Sequence, residues 1–238
     1  AARSNDKRPD IRGLAIAVLG VSGPGALGAP TDRQCFLLIN HPASLFASLD
    51  DFVGIAVNGA RGPLKLLGYL IRSRGFFGGM REAGRLAKLL KRPFSGFATA
   101  PSYSASPLAM GPYAARVRMQ PTRTAAKPQP APDWAAEYRA QLADGAVAYD
   151  LQLQFYIDDR ATPIEDATID WAEAASPYVT VARLTVQPEG ADAAQLSATI
   201  EAAAIDLWQA LQAHRPLGET NRARKVTYFA SQQQRAGG

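Results

Sequence analysis

The sequence is poor in the residues that form covalent cross-links and metal sites. Its 238 residues include one cysteine, Cys35, and two histidines, His41 and His214, which lie far apart in the chain. A single cysteine excludes an intramolecular disulfide, and this set cannot supply the clustered ligands of a zinc site. Cys35 lies in the apolar run QCFLLI, which predicts a buried, unreactive thiol. His41, in NHP, is interpreted as a turn cap, and His214 as a structural hydrogen-bonding residue.

Long apolar runs are also missing. No stretch approaches the roughly 18 consecutive apolar residues of a membrane-spanning helix. The beginning AARSNDKRPD is charged where a signal peptide needs an apolar core, so a cytoplasmic location is favoured. Hydrophobic residues make up 47% and charged residues 20% of the chain, as in globular proteins. We therefore expect one domain over residues 1–238.

The common nucleotide and hydrolase motifs do not occur in a usable context. The chain has no G-x-x-x-x-G-K-[ST] loop and no G-x-S-x-G elbow. GPGALG, residues 23–28, matches G-x-G-x-x-G, but Pro30 and a second predicted strand follow it where a helix is required. We interpret it as a turn. The adjacent carboxylates Glu165 and Asp166 point apart and are interpreted as a turn or cap rather than an acid–base pair.

The net charge of +5 is concentrated in one segment, residues 61–92. Nine basic residues there oppose the single acid Glu82: Arg61, Lys65, Arg72, Arg74, Arg81, Arg85, Lys88, Lys91 and Arg92. Leucines near its end indicate an amphipathic helix. It is either a solvated face whose basic stems cover the core, or a module that contacts an anionic membrane peripherally. Interleaved base-stacking aromatic residues are missing, so no nucleic-acid partner is predicted.

Alternating polar and apolar residues predict several strands with one solvent-facing side, an arrangement that favours an antiparallel sheet or barrel. The predicted strands are residues 10–20, 33–40, 112–120, 147–158 and 178–187. Residues 121–132, PTRTAAKPQPAP, form a proline-rich connector, and residues 133–145 form a short helix.

The stretch NRARKVTYFASQQQR, residues 221–235, sets Tyr228 between two arginines. Arg224 lies four residues before Tyr228 and Arg235 seven after it, so a helix would align all three on one face. A phenol ligates metals as phenolate, and a nearby guanidinium lowers its pKa from about 10. The spacing fits either an exposed basic helix with one inward tyrosine or a phenolate ligand to haem iron with an arginine partner.

The same stretch resembles the proximal haem helix of the haem catalase superfamily. Further segments resemble the divergent catalase-like branch in order along the chain: DIRGLAI, FLLINHP, TPIEDATIDWAE and AHRPLGETNRAR. The resemblance implies an α+β fold, namely an antiparallel β-barrel with helical segments and a C-terminal proximal haem helix. It also implies haem b (iron protoporphyrin IX), with Tyr228 as iron ligand, Arg224 as its charge partner and Arg235 near the haem.

The family's distal catalytic residues are not found at the matching positions. Its distal histidine precedes the R-G-x-A strand, but only eleven residues precede Arg12. Asp32 is the counterpart of its distal asparagine, and Ala17 stands where its lysine is usual. The resemblance implies an oxidoreductase acting on hydrogen peroxide or on organic or lipid hydroperoxides, with no catalytic residue assigned. A non-catalytic haem-binding protein or a degenerate fragment is the alternative, and a homo-oligomer is left open.

Overall fold

The computed structural model describes residues 10–46, 48–123, 133–188 and 205–225. The described elements, in chain order, are β1 Gly13–Pro24, β2 Pro30–Ile39, α1 Leu49–Ala60, α2 Pro63–Leu90, β3 Ser102–Tyr103, β4 Leu108–Met110, β5 Tyr113–Pro121, α3 Trp134–Ala143, β6 Val147–Phe155, β7 Val179–Val186 and the 3-10 turn Gln212–His214. Residues 219–225 are also helical.

The strands form one curled antiparallel sheet, a half-barrel. The order of the described strands is β1-β2-β3-β5-β6-β7, and β4 pairs with β5 off this path. Each segment predicted as a strand overlaps an observed strand, and helix α3 lies within residues 133–145. The antiparallel α+β class is therefore confirmed. GPGALG is confirmed as the region of the β1–β2 turn, where the Gly25 amide donates to Ala29 O at 3.0 Å. Cys35 is buried and free, as predicted.

The two central strands, β5 and β6, are buried on both faces. Ala115, Val117 and Met119 point into the main apolar core, as their alternation predicts. The opposite face was predicted to be wet, and this is wrong at its centre, where Arg116 and Gln154 are 2% and 0% exposed. The reason is that residues 156–178, which we call the covering segment, lie over this face. Arg116 Nη1 donates to Ile169 O at 2.8 Å, and Gln154 Nε2 donates to Trp171 O at 2.7 Å.

A helical layer follows β2. Sequence analysis missed α1, although Ser48 is followed three residues later by Asp51, and the Asp51 amide donates to the Ser48 side chain as an N-cap. The basic segment forms α2, which bends at Gly75, where φ is 71° and ψ is 170°. No helix in the described ranges is both long and apolar enough to cross a membrane.

The connector begins later than predicted. Pro121 is the last residue of β5, where it faces Tyr149 of β6. Proline is tolerated at a strand position whose backbone amide is not needed for a hydrogen bond to a neighbouring strand. Residues 124–132 of the connector lie outside the described residues.

The two halves of α2 pack closely because Gly79 has no side chain. A Cβ added at Gly79 would lie 2.6 Å from the Ile71 Cα, a backbone contact that cannot rotate away. Gly84 is exposed on the same helix, and an added Cβ there meets nothing within 4 Å.

We therefore expect opposite effects from the same substitution at these two glycines. Gly79→Ala forces the halves apart and should lower the free energy of unfolding by about 1–3 kcal/mol. Gly84→Ala only gains helix propensity and should raise it by about 0.5–1 kcal/mol. Urea titration followed by circular dichroism measures both. A stabilised Gly79→Ala protein would contradict the packing of the two halves.

Candidate functional site

An apolar cavity of about 250 Å³ lies between the start of the helical layer and the 219–225 helix. Its apolar lining comes from Ile11, Ile39, Leu45, Phe46, Leu49 and Phe52, and the 219–225 helix contributes Thr220, Ala223 and Arg224. The cavity therefore has an apolar wall with one guanidinium side chain at its helical side. Sequence analysis had singled out only Arg224 among these residues.

Side-chain caps shape the wall next to α1. The Phe46 amide donates to the Ser44 hydroxyl at 3.2 Å, and that hydroxyl donates to Phe46 O at 3.0 Å. The rings of Phe46 and Phe52 meet edge to face, with centroids 5.1 Å apart. Nearby, Asn40 fixes the start of β1, because its side chain accepts from the Arg12 amide at 2.9 Å.

The helical wall is held by a carboxylate and a glycine from outside the helix. Glu165 accepts from the Glu219 amide at 2.8 Å and from both terminal nitrogens of Arg222, at 3.1 and 2.8 Å. Hydrogen bonding from Arg222 lowers the pKa of Glu165. Gly218 precedes the helix with φ of +82°, and an added Cβ would lie 2.7 Å from Ile164 O. Glu165 thus acts as a cap, as predicted.

Asn221 anchors the same helix from inside. It is fully buried, its side-chain amide donates to Pro107 O at 3.1 Å, and its backbone carbonyl accepts from Trp208 Nε1 at 3.0 Å. Arg224 Nη1 donates to Asn221 Oδ1 at 3.3 Å, which directs the guanidinium along the cavity side of the helix. Gly218 and Asn221, the G and the N of HRPLGETNRAR, therefore have structural roles.

Both walls are attached to the covering segment. The Ser44 amide donates to Ala167 O at 2.8 Å, and Glu165 and Ile164 hold the 219–225 helix as described above. Residues on the two sides of the cavity, such as Ser44 and Thr220, which are 176 positions apart in sequence, are therefore placed by one short stretch of chain.

Arg224 is the only predicted site residue inside the described ranges. Tyr228 and Arg235 lie outside the described residues. Asp32 is exposed and ion-paired with Arg33 at 3.1 Å, and it does not line the cavity. Neither His41 nor His214 lines it. In the described part of the chain, no group of three or more histidine, cysteine or carboxylate residues could hold a metal ion.

His41 is not the turn cap that its sequence context predicted. It is 2% exposed at the end of β2, and its Nδ1 has no hydrogen-bond partner among the described residues. Burial, with a smaller contribution from the charge of Arg92, lowers the pKa of His41. The chain does bend at residues 40–43, but His41 is buried at this bend, and Arg116 Nη1 of β5 donates to the adjacent Pro42 O at 3.4 Å.

A second cavity, of about 590 Å³, lies on the other side of Ile11. It is lined by the two outer described strands, β1 and β7, and by aromatic residues that include Trp134, Tyr138 and Tyr149. The Tyr149 hydroxyl donates to Phe97 O at 3.0 Å and lies 3.2 Å from the Tyr138 hydroxyl. No sequence-predicted site residue lines it.

Known structures that resemble this chain are catalases. A fungal catalase matches with a TM-score of 0.70 and 16% sequence identity, covering 96% of this chain and 48% of the catalase. Catalase A from Saccharomyces cerevisiae matches with a TM-score of 0.70 and 15% identity, over 96% and 50% of the two chains. A bacterial catalase matches with a TM-score of 0.63 and 14% identity, over 94% and 46%.

These matches show that the fold is catalase-like. The chain spans about half the length of the catalases that it matches. No protein-family model matches the sequence, and the search of curated proteins found no significant sequence match.

Burial of His41 predicts a specific pH dependence of stability. Because its pKa is lowered in the folded state, the unfolded chain binds more protons as the pH falls through about 6.5. We expect the free energy of unfolding to fall between about pH 7 and pH 5, and His41→Gln to reduce that slope.

The measurement is urea unfolding at several pH values. His214→Gln, a change at the other histidine of the chain, is the control. An equal reduction of the slope in both variants would contradict a role for His41 burial.

Proposed function

We propose that this chain is a catalase-like haem-binding oxidoreductase in which Tyr228 ligates iron, Arg224 is the charge partner of Tyr228, and Arg235 lies near the haem. The observation that carries the proposal is the position of Arg224. Arg224 lines an apolar cavity, and it belongs to a helix whose described part ends at residue 225, three residues before Tyr228. The chain has a catalase-like fold.

The described residues fit haem in their chemistry. Six apolar side chains offer the surface that a porphyrin ring requires, and Arg224 offers a cation beside it. The cavity of about 250 Å³ is smaller than the roughly 300–1,000 Å³ of ordinary small-molecule sites, so it would form part of the haem pocket. When bound, haem supplies the redox chemistry of its iron.

Arg224 would favour the anionic form of Tyr228. Arg224 and Tyr228 are four residues apart, a spacing at which helical side chains are neighbours. A guanidinium close to a phenol lowers the pKa of the phenol, because it stabilises the phenolate charge. The hydrogen bond that Arg224 Nη1 donates to Asn221 Oδ1 restrains the guanidinium, which would reduce the entropy cost of its interaction with the phenolate.

The proposed substrates are hydrogen peroxide or organic or lipid hydroperoxides. Cleavage of a peroxide requires a group that moves a proton between its two oxygens. His41 is buried away from the cavity lining and His214 lies in the 3-10 turn, so neither is assigned this role. The catalytic residue remains unassigned, and efficient hydrogen peroxide dismutation is not part of the proposal.

The second candidate function is haem binding without turnover, including a degenerate catalase-like fragment. The position of both histidines outside the cavity lining favours it. Oxygen release from hydrogen peroxide, measured on haem-loaded protein, separates it from the enzyme, because both candidates share the proposed Tyr228 ligation.

Tyr228→Phe tests the proposed ligand. Haem-loaded parent protein should show a high-spin ferric absorption spectrum of the phenolate type, and the variant should lose it, because phenylalanine offers no oxygen to iron. The variant should fold like the parent by circular dichroism. An unchanged Soret and charge-transfer spectrum in the variant would remove Tyr228 from the iron.

Arg224→Leu tests the charge partner. Without the guanidinium the phenolate is a stronger base and donates more electron density to iron, and one positive charge near the haem is lost, so ferric iron is stabilised relative to ferrous iron. We expect the haem reduction potential to fall. Potentiometric titration measures the shift, and it does not depend on activity.

Arg222→Leu is the matched control. Arg222 is two residues away, but its side chain is bound to Glu165 on the surface and does not line the cavity. Its loss should leave the reduction potential near that of the parent. Equal shifts in both variants, or none in Arg224→Leu, would show that Arg224 is not the charge partner.

A further inference from the structure

The outer surface of the second half of α2 combines exposed phenylalanines with exposed cations. We call it the basic face, and its residues are Phe76, Phe77, Arg81, Lys88 and Lys91. The two rings are 61% and 86% exposed and contact each other edge to face at 5.5 Å, directly after the bend at Gly75. The sequence analysis overlooked this aromatic pair within the basic segment.

Helical spacing places three of these residues opposite the buried side of the helix. Gly79 and Leu86 are buried, and Ala83 packs against the small core of the helical layer. Phe77, Arg81 and Lys88 follow one another at intervals of four and seven residues, so they share the opposite side. The basic face is therefore directed away from the protein.

The nearby acids form their ion pairs with other arginines. Asp51 is bound to Arg74 at 2.6 Å, and Glu82 to Arg85 at 2.6 Å, both of which lie outside the basic face. Hydrogen bonding from Arg85 lowers the pKa of Glu82, so Glu82 stays ionised within that pair. Within the described ranges, Arg81, Lys88 and Lys91 form no ion pair.

We propose that the basic face docks on an anionic lipid bilayer, with Phe76 and Phe77 inserted among the acyl chains and the cations at the headgroups. Two adjacent exposed phenylalanines would lose their contact with water there, and each cation near an anionic surface contributes about 1 kcal/mol. The chemistry recognised is a surface of anionic lipid headgroups. This inference rests on the surface alone and does not depend on haem binding.

Charge complementarity favours a lipid surface over a second copy of this chain. A two-fold contact through the basic face would set the same cations against each other, and like charges across an interface oppose association. An anionic bilayer instead presents the opposite charge over an area as wide as the helix. Phenylalanine rings at a helix bend also fit acyl chains better than the charged backbone of a nucleic acid, whose binding is dominated by phosphate contacts.

Vesicle co-sedimentation of the full 238-residue chain tests the proposal. The parent should bind vesicles of phosphatidylcholine mixed with phosphatidylserine, bind phosphatidylcholine alone far less, and lose binding as salt rises. Phe76→Ser/Phe77→Ser and, separately, Lys88→Glu/Lys91→Glu should each lower the partition coefficient at least about tenfold.

Matched controls use exposed residues on other elements. Leu27→Ser removes an exposed apolar side chain from the β1–β2 turn, and Arg139→Glu/Arg160→Glu reverses two exposed charges on α3 and on the covering segment. Both controls should bind like the parent.

Tryptophan fluorescence provides an independent measurement. The three native tryptophans are buried, so a Phe77→Trp variant should show a new blue shift of its fluorescence emission with anionic vesicles.

Several results would overturn the proposal. These are no binding of the parent to anionic vesicles at low salt, equal binding to both lipid mixtures, or undiminished binding in either basic-face variant. A parent dimer that Phe76→Ser/Phe77→Ser converts to a monomer would assign the face to contact between copies of the chain. Duplex DNA binding that displaces the vesicles and ignores the phenylalanine change would assign it to nucleic acid.

Discussion

The covering segment, residues 156–178, is the part of the molecule on which the placement of the candidate site depends. It is fixed to the sheet by buried polar groups: Arg116 donates to Ile169 O and stacks over Trp171, at 4.5 Å from the ring centroid, and Gln154 binds two of its carbonyls. Hydrogen bonds from a charged group to a carbonyl contribute about 1.5–3 kcal/mol each. Because the segment also holds Ser44 and the 219–225 helix, its attachment sets the distance between the two cavity walls.

This arrangement has an electrostatic cost. Arg116 is almost fully buried, and its Nε and Nη2 have no hydrogen-bond partner among the described residues. Burial lowers its pKa to about 10. A buried cation without a carboxylate partner in contact is unfavourable unless carbonyl dipoles and an aromatic face replace its water, and both are present here. In return, the Arg116 guanidinium fixes two segments relative to each other, because it donates to Pro42 O, shortly after β2, and to Ile169 O of the covering segment.

The candidate cavity and the basic face lie on neighbouring parts of the same helical layer. The cavity uses the start of α1, and α1 packs on α2, where the tyrosine of α2 fills the space left by Gly54. Helix α1 thus lines the cavity and shares a small core with α2, and the basic face of α2 is directed outward. A hydroperoxide substrate dissolved in lipid would connect the two proposals physically, although each stands on separate residues.

Local sequence patterns determined most of the secondary structure and little of the site. Alternation in residues 112–120 and 147–158 predicted strands correctly, because the period of two is a property of the strand itself. The turn at GPGALG and the inert Cys35 followed from similarly local chemistry. The burial of Arg116, Gln154 and His41 did not, since a polar side chain is buried only when a distant segment covers it. The cavity has the same origin: Phe46 and Ala223 line one cavity because the covering segment holds both walls, and no local period encodes the proximity of residues so far apart in the chain.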